Sequence, residues 1–571
     1  MKQDRENKEG NGKRRLLIVG GVAGGASCAT RARRMSEEIE IIMFERGRYV
    51  SFANCGLPYY VGNVIADERD LLVATPNLFR KRFNIEVRLQ SDVRSIDRQK
   101  QEIEVQNLQT GEIYREKYNA LVLAPGASPI RPPLPGIDLP AIYSIRTIPD
   151  SRQIREWIIE REVKQAVIVG GGFIGLEMAE NLTRRGISVT IIEMMPQLMP
   201  LLDPEMAVPL QEHVIANGVN LCLGDAVSGF SRSNDSNSIT VSTKSGKSYL
   251  ADMVVLAIGV RPEVSLAKEA GLEIGQLGGI RVNPQMRTSD EHIWAVGDAV
   301  EARDFVTGER TLIPLAGPAN RQGRIAADAI LGRNSSFRGV QATAVCKVFN
   351  ITVASTGVSE RTLKRIGNSG KIGKYEKIYL HPGHHVNYYP GAKPISIKLL
   401  FSLPDGRILG AQAVGEEGVD KRIDVISIAI QKGATVFDLE EAELCYAPQF
   451  GAAKDPVNIA GMIASNILRG DAGVAHWEDI DRTQGIILDV REPSEFLMGH
   501  YEDAINIPLG TLRDKMGELP REKEILAYCS VGQRSYYASR ALRLYGFEAK
   551  NVSGGMTTYL ARKGLKSPRL D

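Results

Sequence analysis

The run Ser51-Phe52-Ala53-Asn54-Cys55-Gly56-Leu57-Pro58-Tyr59-Tyr60 holds one cysteine, a short way beyond a strand that ends in Glu45. The nearest other cysteine, Cys28, falls inside a predicted helix upstream, so Cys55 has no partner in local sequence. A cysteine at the start of a helix lies near positive backbone dipoles, which bias it toward the reactive thiolate. A lone thiolate beside a redox cofactor can form a mixed disulfide with a small thiol, but it cannot close an internal dithiol pair. The plainer alternative for an isolated cysteine is a small buried residue in a loop. The motifs around this one decide against that alternative.

Those motifs are the elements that must position the sulfur. Arg15–Val19 reads as a buried strand, Gly20-Gly21-Val22-Ala23-Gly24-Gly25 as a turn into a helix beginning near Ala26, and Ile39–Phe44 as the next strand, ending at Glu45. Strand, glycine turn, helix, strand and acid make a dinucleotide-binding unit whose helix N-terminus takes a pyrophosphate. Val22 stands where the fingerprint has its second glycine. A second copy runs from Ala166–Val169 through Gly170-Gly171-Gly172-Phe173-Ile174-Gly175 to Ser188–Ile192 and Glu193, and matches in full. Two copies imply two nucleotide sites, hence two cofactors passing electrons. Tyr118–Ala127 is expected to be a strand running into a tight turn, and Asp252–Pro262 repeats that shape. Thr288–Asp298 is expected to be a strand delivering Asp298 at its end, where an acid can accept a hydrogen bond from a sugar-like hydroxyl; the alternative for Asp298 is a helix N-cap.

Farther along, Ala344–Ala354, Lys377–Leu380, Ser396–Phe401 and Ile408–Val414 alternate like antiparallel strands. Helices are expected over Val425–Gln431 and Asp455–Ile467, followed by a linker at Arg469–Gly473. A last compact unit has strands at Gly485–Val490, Ile525–Tyr528 and Ala549–Val552. A chain of 571 residues exceeds one core and implies about three or four domains. With 43% hydrophobic and 24% charged residues it is an ordinary soluble composition. A net charge of +3 makes no case for nucleic acid or a membrane surface. No apolar run is long enough to span a bilayer, and the polar start of the chain has no secretory core. Six scattered cysteines do not form a disulfide framework, so a reducing cytoplasm is the expected location. The seven histidines show no metal-ligand spacing; the cluster at His381, His384 and His385 reads as a surface turn, and no metal is expected.

Taken in order, Gly20–Gly25, Ser51–Cys55, Gly170–Gly175, Gly297-Asp298 and Tyr446-Ala447-Pro448 with Lys454-Asp455-Pro456 resemble the flavin-dependent pyridine nucleotide–disulfide oxidoreductases over residues 14–465. Within them the chain is similar to the single-cysteine branch that contains coenzyme A-disulfide reductase. Residues 476–571 resemble a rhodanese domain through Asp489–Phe496, Gly499-His500, Ala504–Leu509 and Tyr528–Ser535. The implied fold is α/β: two Rossmann-like nucleotide-binding domains, an α+β dimerisation domain and a C-terminal α/β rhodanese domain. The implied boundaries are a tail over 1–13, an FAD domain over 14–148 and 276–335, an NAD(P) domain over 149–275, a dimerisation domain over 336–467, a linker over 468–475 and the rhodanese over 476–571.

The resemblance implies FAD held by Gly20, Val22, Ala23, Gly24, Gly25, Glu45, Arg46, Ala124, Gly126, Gly297 and Asp298. It implies the nicotinamide nucleotide at Gly170, Gly172, Phe173, Ile174, Gly175, Glu193 and Gly259. Glu193 as a 2′-hydroxyl acceptor repels a 2′-phosphate, and Met194 and Met195 add no positive charge, which favours NADH over NADPH. Cys55 and Cys529 are the implied catalytic thiols, with Tyr446 and Tyr388 protonating or hydrogen-bonding the sulfur that leaves the partner's cysteine in a homodimer; Tyr389 is an equal candidate to Tyr388. Ser27, Ser51, Asn54, Arg31, Arg34 and Lys454 are the implied contacts of substrate or of coenzyme A phosphates, with solvated helix charge at least as good a reading for Arg31. Cys28, Cys222 and Cys346 are assigned to packing and His500 to structure; Cys445, which abuts Tyr446, is assigned to packing as well, with an approach to Cys55 of the other subunit as the alternative.

Between Cys529 and Arg534 lie four residues, one fewer than in the C-x5-R phosphate loop of the related dual-specificity phosphatases. A shorter ring of N–H groups suits a cysteine carrying one extra sulfur, and with Arg534 it is expected to depress the Cys529 pKa and stabilise the persulfide anion. The implied activity is NADH-dependent reduction of persulfide, polysulfide or coenzyme A persulfide, with coenzyme A disulfide a poorer substrate and Cys529 relaying sulfane sulfur to or from Cys55. The alternatives are an NADH oxidase or peroxidase cycling through cysteine sulfenic acid, and a redox sensor or sulfur carrier without turnover.

Overall fold

The computed structural model describes residues 14–233, 238–367, 372–481 and 483–564; the tail expected over 1–13 lies outside them. They pack into two compact units, one up to Met194 together with Asn220–Val340, the other Met195–Val219 together with the chain from Gln341 onward.

The first unit holds two five-stranded parallel sheets. One runs in the order Ile293–Ala295, Ala120–Leu123, Arg15–Val19, Glu40–Glu45, Glu86–Leu89. Its central strands are covered on both faces, which is why Leu16, Leu17, Ile18, Leu121 and Val122 form continuous apolar runs without alternation. The other runs Asn220–Leu223, Ser188–Glu193, Gln165–Val169, Met253–Leu256, Ile142–Tyr143. Each sheet feeds a helix straight from its glycine turn, Ala23–Met35 in the first copy and Phe173–Arg184 in the second. The first helix begins at Ala23, one turn earlier than its sequence suggests, because Val22 itself serves as N-cap. It packs so closely on helix Ala316–Ile330 that a Cβ on Gly323 would lie 2.2 Å from the Gly24 carbonyl oxygen. The segment expected as one strand over Thr288–Asp298 is strand only at Ile293–Ala295, and Asp298 lies in the short turn Gly297–Ala299.

The second unit is built on an antiparallel sheet in the order Ala344–Val348, Ile351–Gly357, Ile408–Gly415, Ile395–Ser402, Tyr375–Leu380. The single strand expected over Ala344–Ala354 is a hairpin: the chain reverses at Phe349, whose φ of +55° breaks the alternation. Helix Val419–Lys432 covers one face and starts six residues before its sequence estimate, at Val419 instead of Val425. Helix Pro204–Ala216 lies within the range expected for the second nucleotide domain, yet it packs in this unit: the backbone N–H of Asp203 donates to Gln412 at 2.8 Å. The last domain is a parallel sheet in the order Val474–Ala475, Ala549–Val552, Ile525–Tyr528, Ile486–Asp489, Ile505–Asn506. The expected linker is pinned, with Arg543 donating to the Gly470 carbonyl at 2.9 Å and Arg469 paired to Glu440 at 2.8 Å. Among the described residues no helix is long and apolar enough to cross a membrane.

Candidate active sites

Cys55 sits in the one-turn helix Asn54–Gly56, which runs into the five-residue helix Leu57–Val61. The loop is tied to the first glycine turn, because the Ser51 N–H donates to the Gly21 carbonyl at 2.9 Å and Ser51 takes a left-handed φ of +49°. The Cys55 thiol is exposed on its own chain. Its expected bias toward thiolate is overturned in the protein: desolvation pushes the thiol up, and the carboxylates of Glu177 and Asp298 push it the same way. A single turn of helix supplies too small a dipole to offset desolvation and the acidic groups beside it. Glu177, on the helix of the second glycine turn, accepts from the Tyr59 hydroxyl at 3.3 Å, and burial pushes its carboxyl up to about 7. Neither Glu177 nor Tyr59 is singled out by the sequence; the only signal is an acid between Leu176 and Met178 on an apolar helix face. Replacing Glu177 with Gln is expected to lower the pH at which Cys55 becomes reactive, because it removes a charge that disfavours the thiolate. Iodoacetamide labelling at pH 8 is the measurement, with an expected acceleration of about twofold to fivefold; an unmoved pH profile would remove Glu177 from the site.

The two glycine turns fit nucleotides. A Cβ on Gly20 would stand 2.1 Å from the Ala124 carbonyl oxygen, and one on Gly170 2.3 Å from that of Ala257, at φ values of +95° and +109°. A Cβ on Gly25 would meet the Gly20 oxygen at 1.9 Å, and one on Gly175 the Gly170 oxygen at 2.0 Å, so each helix is drawn tight against its turn. Gly172 faces open space. Neither helix has a side-chain N-cap or an acid in its first turn, so the N–H groups at Ala23 and at Phe173 and Ile174 are presented to an anion. The two acids act alike: Glu45 accepts from the Gly21 and Gly47 N–H groups at 3.0 and 2.8 Å, and the buried Glu193 from Gly171 at 2.7 Å. Gly126, Gly259 and Gly297 all have left-handed backbones, and the Gly297 N–H donates to Gln322 at 2.7 Å. Burial raises the Asp298 carboxyl, with Arg146 opposing. Arg46 is paired to Asp92 at 2.7 Å.

Of the implied substrate contacts, Ser27 hydrogen-bonds Asn320, Asn54 and Arg34 are exposed, and Arg31 forms a largely buried ion pair with Asp328 at 2.7 Å. Arg31 is therefore not solvated helix charge; its Nη2 is buried without a hydrogen-bond partner. In the second unit the Tyr388 and Tyr446 hydroxyls are 2.7 Å apart, on side chains 73% and 47% exposed, so the two candidates form one pair facing solvent. Tyr389 packs its ring edge on His385, and Lys454 is exposed. Cys28, Cys222 and Cys346 are buried, Cys28 with its thiol pushed up to about 12, whereas Cys445 is exposed instead of packed. The histidine cluster is not a surface turn: His381 bridges Ser396 and Thr558 at 2.9 Å each, and His385 is buried.

Cys529 is fully buried at the end of strand Ile525–Tyr528. The Gly532 N–H donates to its Sγ at 3.2 Å and the Ser535 hydroxyl at 3.4 Å, as Gly532 turns the chain into helix Gln533–Leu544 with φ +93°. The loop is braced from below: Met556 N–H donates to the Cys529 carbonyl at 2.8 Å, and Trp477 to the Gly555 carbonyl at 2.8 Å. A buried Asp489–Arg491 pair at 2.7 Å holds the Asp-Val-Arg-Glu segment, and His500 stacks on Phe496. Arg534 is bound by Glu495, which it meets with both terminal nitrogens at 2.6 and 2.7 Å.

Residues 14–323 match the model of the pyridine nucleotide-disulphide oxidoreductases, more than half of the chain. The chain belongs to that family. Its dimerisation-domain model matches residues 343–455, and a rhodanese-like domain matches 475–562. The oxidoreductase is similar over 96% of its length to the crystal structure of reduced Bacillus anthracis CoADR-RHD, covering 98% of that chain at 48% identity and a TM-score of 0.93. A NAD-dependent persulfide reductase from A. fulgidus is matched over 95% of this chain and 100% of that one, at 38% identity and a TM-score of 0.87. An NADH oxidase of Methanocaldococcus jannaschii is 36% identical over 449 residues, 78% of this chain and 97% of the relative. The chain is thus a flavin- and pyridine-nucleotide-dependent oxidoreductase of α/β fold with a C-terminal rhodanese domain.

Proposed function

We propose that this oxidoreductase reduces persulfides, polysulfides and coenzyme A persulfide with NADH, releasing hydrogen sulfide, and that coenzyme A disulfide is a poorer substrate. One observation carries the reading: an exposed free cysteine, Cys55, shares its chain with a rhodanese-type loop whose Gly532 N–H donates to the buried Cys529 sulfur. The alignment with the A. fulgidus persulfide reductase along nearly the whole chain supports it.

Cys55 attacks the inner sulfur of R–S–SH; its new S–S bond forms as the old one breaks, and HS⁻ leaves with the electron pair. The flavin and nicotinamide, when bound, supply the two electrons that return Cys55 and RSH as thiols. Protons are taken up at the two sulfurs, so the sum is RSSH + NADH + H⁺ giving RSH, H₂S and NAD⁺. The Tyr388–Tyr446 pair of one subunit serves the leaving sulfur at Cys55 of the other, which needs a homodimer. Glu193 holds the adenosine ribose hydroxyls and disfavours a 2′-phosphate, so NADH is preferred over NADPH. The Cys529 thiolate takes sulfane sulfur from a donor, its S–S bond forming as the donor's breaks, and Cys55 then attacks the inner sulfur of the Cys529 persulfide, releasing HS⁻ as in the step above.

The test is sulfide released per NADH oxidised with coenzyme A persulfide, glutathione persulfide, polysulfide and coenzyme A disulfide. Cys529→Ser is expected to lower persulfide and polysulfide turnover by about tenfold or more while leaving coenzyme A disulfide turnover intact. Equal turnover in the variant would end the relay. The second reading, NADH oxidase or peroxidase, is favoured by the M. jannaschii relative; stoichiometric oxygen or peroxide consumption without sulfide would establish it.

A further inference from the structure

The Cys529 loop carries a counter-charge that sulfur transfer by itself does not call for. Arg534 is held over the start of the loop by its hydrogen bond to Ser530, the residue next to Cys529. Its guanidinium is bound bidentately by Glu495, at 2.6 and 2.7 Å, and its Nη2 also donates to the Ser530 hydroxyl at 2.9 Å. Ser530 in turn donates to Glu495 at 2.8 Å, closing a three-residue ring at the entrance of the loop sequence. The Arg534 side chain is 32% exposed and that of Glu495 16%. Arg534 and Ser530 hold the Glu495 carboxyl down to about 2, so it is charged at any working pH.

A guanidinium left free beside a nucleophilic sulfur would attract anionic donors; paired at contact distance with a carboxylate, it presents almost no net charge to them. We infer that Glu495 is a specificity-determining residue, which cancels the charge of Arg534 and makes the Cys529 loop select donors with a single negative charge over dianions such as thiosulfate. This inference rests on the sulfur-transfer reading of Cys529. In either case the Cys529 thiolate attacks the terminal sulfur of the donor, the donor's S–S bond breaks, and the leaving group departs with the electron pair. Thiosulfate releases sulfite, and methanethiosulfonate releases methanesulfinate. The two donors are near-isosteric, a methyl group in one replacing a charged oxygen in the other.

The experiment uses the full-length flavin-loaded protein and reads the rate of persulfide formation on Cys529 by mass spectrometry of quenched samples. Rates are normalised to those of the same donors with free cysteine, which removes the leaving-group difference. Wild type is expected to favour methanethiosulfonate over thiosulfate by about tenfold. Glu495→Gln is expected to raise the thiosulfate rate about tenfold while moving the methanethiosulfonate rate no more than about twofold. Glu495→Asp, which keeps the charge, is expected to keep the wild-type ratio. A wild-type preference for thiosulfate, or a ratio untouched by Glu495→Gln, overturns the inference. Absence of persulfide from both donors in wild type overturns the sulfur-transfer reading beneath it as well.

Discussion

Cys55→Ser is expected to lose NADH-dependent sulfide release by about 10³-fold or more with every sulfur substrate. The oxygen of serine neither attacks a sulfane sulfur at neutral pH nor carries a sulfur-to-sulfur bond to be reduced. Cys28, Cys222 and Cys346 are buried, Cys28 with its thiol pushed up to about 12, so none of these three offers a replacement. The variant is expected to keep its flavin colour and its affinity for NADH, because the two glycine turns do not depend on the cysteine side chain. Steady-state sulfide release beside absorbance titration of the flavin separates the two effects. Turnover within about tenfold of wild type would move the reducing step away from Cys55.

Lys398→Ala is expected to destabilise the second unit by about 3–5 kcal/mol, the cost of breaking a buried ion network from one side. Lys398 is fully buried and meets Asp203 at 2.9 Å, Glu205 at 2.6 Å and Glu360 at 2.6 Å. Lys377 also reaches Glu360, at 3.0 Å, and pairs with Glu478 in the first helix of the rhodanese domain. The cluster therefore joins helix Pro204–Ala216, the antiparallel sheet and the rhodanese. Without Lys398, three carboxylates face one another with Lys377 and Lys364, both paired to Glu360, as partial compensation. Desolvation opposes ionisation of Glu360, but Lys398 and Lys377 hold its carboxyl well below the ordinary 4.5. Burial opposes the Lys398 charge, but Tyr379, Glu205, Asp203 and Glu360 around it hold its ammonium well above 10.5.

The sign of the pH dependence follows. A depressed acid contributes stability above its ordinary value and loses it as pH falls through the folded value. A raised base contributes below its ordinary value and loses it as pH rises through the folded value. The difference between wild type and variant is thus largest between pH 4.5 and 10.5 and shrinks in acid. Hydrogen exchange of the antiparallel sheet and the rhodanese is the measurement, since a chain of several domains need not unfold in one step. Unchanged exchange at neutral pH would show that the network is neutral in energy. A triple change, Lys398→Met with Glu205→Gln and Glu360→Gln, is expected to recover much of the loss by removing the uncompensated charges.

The features readable in the chain alone are those whose physics is local. A glycine turn between a buried strand and a helix is required by backbone geometry at Gly20 and Gly170, where a Cβ would strike the next strand's carbonyl. An acid closing each turn, at Glu45 and Glu193, follows from the spacing of one strand. The loop from Cys529 to Gly532 is likewise one short stretch, and its Gly532 N–H reaches the sulfur three residues back. At Ala344–Ala354 an apolar run hides a reversal at Phe349-Asn350: Asn350 is a turn-forming residue, but one Asn among apolar neighbours is a weak signal against a continuous alternation.

What tertiary structure alone decided is every pairing between charges far apart in the chain. Burial pushes the Cys55 thiol up, and Glu177 and Asp298, brought to it from elements more than a hundred residues away, add to that rise. Glu495 reaches Arg534, Tyr388 reaches Tyr446, and Lys398 collects Asp203, Glu205 and Glu360 in the same way. Backbone preferences act over a few bonds and leave a trace in residue order. The energy of a charge depends on which other charges and how much solvent surround it, and only the packed chain sets those distances.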